Sequence, residues 1–131
     1  MRKKLIWSFI VLILVVSIYN LIIRTRTVTY MGENKNWFIK INAKLVGLNR
    51  SYSIEVKYKG KATIQNADFN IHPRHYDLGF HSFNKNGYYW VCKDDCGYYD
   101  KDSKLLFFIV WKEKNDTEEK MNFIDLRKIN N

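Results

Sequence analysis

Between Leu5 and Ile23 the chain runs LIWSFIVLILVVSIYNLII, nineteen residues without a charge, and no other feature restricts its fate so strongly. As an α-helix rising about 1.5 Å per residue, the run is roughly 28 Å long, which matches the hydrocarbon thickness of a bilayer. Backbone groups in lipid must be satisfied within a lone segment, so the run is expected to be helical despite its β-branched residues. Trp7 and Tyr19 lie near its two ends, where amphipathic rings favour the interface.

Arg2, Lys3 and Lys4 ahead of an apolar run also open a cleaved export signal. No small-x-small cleavage pattern follows here, Arg24 and Arg26 read as a stop, and no cysteine ends the run as a bacterial lipoprotein would need. The expected organisation is therefore residues 1–26 as an uncleaved signal anchor with basic flanks, 27–36 as a polar linker, and 37–131 as one exported domain. Three basic side chains precede the helix and two follow closely. That small excess, the short N-terminal tail and a cysteine pair further on favour a single pass through the cell membrane with the C-terminal domain extracytoplasmic.

A net charge of +9 invites a nucleic-acid reading until it is divided along the chain. Five of the 22 basic residues and none of the 13 acidic ones fall in residues 1–26, which leaves the remainder at +4. The excess is largely membrane-flanking charge. It points to anionic lipid or cell-wall polymer as partners rather than to nucleic acid. With 47% hydrophobic and 16% aromatic residues, the chain after the anchor can bury a core.

From Trp37 onward the apolar residues alternate, as in half-buried strands. Trp37, Ile39, Ile41, Ala43 and Leu45 share one face, Gly47-Leu48-Asn49 makes a turn, and Tyr52, Ile54, Val56 and Tyr58 alternate up to Gly60, so the two runs predict a hairpin. Ala62–Ile71 and Tyr88–Lys93 read as further strands around a loop with Pro73 and Gly79. Lys104–Lys112 (KLLFFIVWK) is apolar on both faces, as a central strand covered on both sides would be, and Lys120–Arg127 returns as the last strand. The fold class expected is mainly β: an antiparallel, Ig-like β-sandwich of about six or seven strands after one transmembrane helix, with a small β-barrel as the alternative.

Several short motifs, Gly32-Glu33-Asn34-Lys35-Asn36-Trp37, Tyr58-Lys59-Gly60-Lys61, the Cys92/Cys96 pair, and Ile109-Val110-Trp111 leading to Glu118/Glu119 and Leu126, run through residues 31–127. In these the chain resembles a family of small membrane- or lipid-anchored exported proteins of Gram-positive bacteria. The resemblance implies a β-sandwich-like exported domain and no particular activity. Members with a lipid-attachment cysteine would differ from this chain, which carries a helix in its place.

Candidate chemistry is sparse. Cys92 and Cys96, in CKDDC, are the only cysteines, and in an exported domain the pair reads as a disulfide closing a very short loop, with a chain-entropy contribution of about 2 kcal/mol. The alternative is a redox pair or half of a zinc site, although C-x-x-x-C lacks the two-residue spacing of thioredoxin-like motifs and zinc knuckles. His72, His75 and His81 cluster within ten positions around Asp77 and form the best metal-like group, although Pro73 spoils the helical geometry of an HxxH pair. Asp94, Asp95, Asp100 and Asp102 could ligate Ca²⁺, but turns are Asp-rich for backbone reasons alone.

Tyr88, Tyr89, Trp90, Tyr98 and Tyr99 include rings that would bind a sugar or protein partner if exposed; alternation sends Tyr89 and Trp90 to opposite faces. Lys57, Lys59 and Lys61 read either as lysines guarding an edge strand or as contacts to anionic head groups or wall polymer. There is no G-x-S-x-G elbow, phosphate-binding glycine loop or H-E-x-x-H. The function expected is a membrane-tethered extracytoplasmic binding or interaction module without catalysis or cofactor. The alternative is a metal-binding or redox domain built on the histidines or the cysteine pair.

Overall fold

A computed structural model describes residues 1–23, 25–47, 49–72, 76–81, 83–84, 86–93 and 104–129, with the backbone alone for residue 23 and residues 76–81. Helix α1 (Arg2–Ile23) holds the whole apolar run. Its residues 2–22 have the length and apolarity to cross a membrane, and none of that span is buried against the described residues. Leu5, Phe9, Leu12, Val16 and Tyr19 are all exposed.

Among the described residues eight strands follow: β1 (Thr25–Glu33), β2 (Trp37–Val46), β3 (Asn49–Tyr58), β4 (Ile64–His72), β5 (Tyr76–His81), β6 (Gly87–Cys92), β7 (Lys104–Glu113) and β8 (Lys120–Ile129). All neighbouring strands are antiparallel and form one sheet in the order β5-β4-β7-β8-β1-β2-β3-β6. The mainly antiparallel β domain behind an N-terminal apolar helix is as the sequence indicates. Its strands are joined in one curled sheet, an open half-barrel, whose two halves face each other across the core much as two sheets of a sandwich would.

The expected β2–β3 hairpin is present, with Ile41 opposite Ile54 and Ala43 opposite Tyr52, and it turns at Gly47 with φ of 60°. The segment expected to be a linker is instead β1, which pairs along its whole length with β2. Val28 and Tyr30 supply the reason: both are buried, and the alternating threonines Thr25, Thr27 and Thr29 suit a strand. The domain thus begins almost where the helix ends.

Inward side chains from both halves meet in one cluster. Trp37 of β2 packs edge-on against Trp111 of β7 with centroids 5.3 Å apart, and Phe69 of β4 meets Tyr88 of β6 at the same distance. Asn86 closes one end of the curl. Held at φ 61°, it accepts the Tyr58 N–H on its backbone carbonyl (2.8 Å), while its side-chain amide donates to the Ala62 carbonyl (2.9 Å) and accepts from the Ile64 N–H (3.2 Å). One side chain therefore ties the β3–β6 half of the sheet to the start of β4.

Candidate functional site

Alternation along β7 sends Leu105, Phe107, Ile109 and Trp111 into the core and leaves Leu106, Phe108 and Val110 on the convex face. The same rule on β8 buries Ile124 and Leu126 and turns Met121 and Phe123 outward. Register then assembles a surface: Phe108 lies opposite Phe123 and Val110 opposite Met121, with the two phenyl centroids 4.7 Å apart. Met121 is 67% and Phe123 58% exposed. The sequence predicted a strand covered on both faces. Among the described residues no element packs over this outer face, and aromatic and Met side chains in such a patch are the usual core of a docking surface.

Beside the patch, β1 and β8 pair over only three positions, Thr29 to Met31. A groove of about 380 Å³ lies there, lined by Met31, Glu33, Phe123, Asp125 and Arg127 among others. Gly32 permits the close approach, since a Cβ at that position would strike the Asp125 carbonyl and the Leu126 side chain. The apolar patch thus has a rim with one cation and two carboxylates, the polar border that specific interfaces use to fix orientation.

A second polar group gathers at the end of the sheet away from α1. The Tyr58 hydroxyl donates to Glu113 (2.7 Å), and Lys120 ion-pairs with both Glu113 (3.0 Å) and Asp116 (3.1 Å). The hydrogen bond from Tyr58, then that from Lys120, holds the Glu113 carboxyl below its ordinary range; the nearby Trp111 indole adds to this without reaching hydrogen-bond geometry. Lys120 lowers Asp116 in the same way, and the two carboxylates raise Lys120. Burial first, and then Glu113, push the Tyr58 hydroxyl up. A carboxylate kept ionised between a phenol and an ammonium is a poor general base. The cluster fastens the β7–β8 turn to β3.

The structure disperses most of the residues singled out from the sequence. His72 ends β4, half-buried in a groove with Lys104 and Asp125. His81 pairs with Ala67, five positions back along β4, which is about 17 Å of strand. His75 lies outside the described residues, as does the side chain of His81. Among the described residues no three His, Cys, Asp or Glu side chains gather as metal ligands. Cys92 ends β6 and packs against the core, while Cys96 and the aspartates Asp94, Asp95, Asp100 and Asp102 lie outside the described residues.

Of the aromatic set, Tyr88 and Trp90 turn inward, and burial raises the Tyr88 hydroxyl; Tyr89 is 67% exposed. Tyr98 and Tyr99 lie outside the described residues. The lysines do not guard an edge, because β3 is interior, between β2 and β6. Lys57 is paired with Glu55 (2.7 Å) and Lys59 with Glu33 (3.1 Å) at the end of the sheet away from α1, and Lys61 follows in the β3–β4 connection. The surface that sequence reasoning missed is the outer face of β7–β8; its signal was the doubly apolar KLLFFIVWK run together with Met121 and Phe123 on alternate positions. No family model, curated protein or solved structure matches this chain.

Proposed function

We propose that the chain is a membrane-tethered extracytoplasmic binding module, without catalysis of its own, that docks a protein partner on the outer face of β7–β8. One observation carries the reading: the contiguous row of exposed Met121 and Phe123 with half-buried Val110 and Phe108, over which no described element packs. In this reading α1 is an uncleaved single pass through the cell membrane and the β domain lies outside. The sides of the curled sheet then face along the membrane, where other anchored or exported proteins approach. Cell-wall polymer and lipid are the competing partners; the aromatic and Met content of the patch favours a protein.

Two further readings accompany this one. The Cys92–Cys96 pair is a structural bridge at the end of β6, supported by the absence of a free cysteine among the described residues. Kinship with the small anchored exported proteins of Gram-positive bacteria is the second of these proposals, and it rests on the short motifs of residues 31–127 alone. The docking reading is tested by placing a photo-crosslinking residue at position 123, and separately at exposed position 89 on β6, four strands along the curled sheet from β8, in the full chain in intact cells. A discrete protein adduct from 123 and none from 89 is expected. Equal labelling from both positions, or none from 123, contradicts it.

A further inference from the structure

The first acidic residue of the chain is Glu33, and no other occurs before Glu55. Glu33 lies at the far end of β1, bound to Lys59. The base of the β1–β2 hairpin, where Thr25 pairs with Val46, therefore has cations and no anion in its own sequence: Arg26 on one face and Lys44 on the other, both exposed. Neither forms an ion pair with a described residue, whereas Lys57, Lys59 and Lys120 at the opposite end all do. At the tip of the next turn Val46 is 40% exposed.

The turn itself lies against the anchor. A Cβ on Gly47 would collide with the Ile22 carbonyl, so only glycine fits, and its φ of 60° suits no other residue as well. Ile22 ends the apolar span. With α1 spanning a bilayer, a backbone segment in contact with Ile22 would sit at the level of the lipid head groups.

We propose that the β2–β3 turn is a second membrane contact, in which Gly47 seats the turn on the end of α1, Val46 enters the interface, and Arg26 and Lys44 face anionic lipid head groups. The inference rests on reading α1 as a membrane span. Each cation near an anionic surface is attracted at short range, and the attraction is screened by salt. It also relocates the head-group contact: Lys57, Lys59 and Lys61 lie at least eight residues along from Asn49, upwards of roughly 26 Å of strand from the turn. Asp94, Asp95, Asp100 and Asp102, outside the described residues, would oppose the same attraction, so lipid charge is varied in the test.

The test uses the full chain in nanodiscs of neutral or partly anionic phospholipid, doped with a lipid carrying a nitroxide on its head group, and reads the intensity of each backbone amide by NMR. In anionic discs the amides of residues 25–26, 44–47 and 49–50 are expected to lose most of their signal while those of 34–36, 60–63 and 114–119 keep theirs. Arg26→Gln with Lys44→Gln, both at exposed positions, should restore part of the lost signal. Loss at residues 20–22 without loss at 44–50 overturns the second contact and leaves the anchor standing. Full signal at residues 20–22 as well overturns both.

Discussion

Asn86 shows how much one side chain can hold. Its amide replaces a missing strand pairing between the two halves of the sheet, so Asn86→Gly, which keeps the positive φ and removes the amide, is expected to destabilise the full chain by about 1–3 kcal/mol. Urea unfolding in detergent micelles measures this, and a loss within error of zero would mean that the closure needs no clamp. Glu113 gives a pH signature. Its folded pKa lies below the ordinary 4.5, so the stability it supplies is present above that value and is lost as pH falls through the lower folded value. Glu113→Gln should therefore flatten the acid limb of a stability-against-pH curve below about 4.5 relative to the native chain. An unchanged limb would show that Tyr58 and Lys120 do not hold the carboxylate. In the sequence, Asn86-Gly87 signals a turn; that its amide reaches Ala62 and Ile64 depends on tertiary curvature, which no local pattern records.

Among the elements, the β7–β8 hairpin separates packing from docking, because its inner and outer residues alternate. Phe107→Ala removes a fully buried ring and should cost about 3–5 kcal/mol in the same unfolding assay. Met121→Lys lies on the exposed face and should change stability by no more than about 0.5 kcal/mol while abolishing the crosslinking from position 123. A large stability loss from Met121→Lys would instead make the outer side chain a structural one. The β2–β3 hairpin was legible in the sequence because the inward residues of its central stretch, Trp37 to Ala43 and Tyr52 to Val56, are buried and alternation there is strict. β1 was not, since only Val28 and Tyr30 of its nine residues are buried and the rest read as a polar linker. β7 was legible as a strand, but its apolar outer face, which suggested a covering layer, has none over it among the described residues.

At the scale of the molecule, an eight-stranded half-barrel starts almost directly after a helix that nothing in the described chain covers. That junction links the two proposals: with α1 read as a membrane span, the end of the domain beside Gly47 is the one proposed to meet the lipid, and one side of the sheet is proposed to face along the membrane. The architecture was legible as a mainly β domain behind an apolar helix. The joining of its strands into one sheet was not, because β8 and β1 are distant in sequence and pair over only three residues. The most direct test of the tether is to express the full chain in a Gram-positive host, wash the membranes at alkaline pH, and determine the intact mass and protease sensitivity of what remains. The account predicts full-length protein in the membrane fraction, with the β domain reached by protease added to cells stripped of wall. A soluble product shortened at or beyond Ile23, or a domain protected until the cells are lysed, would contradict it.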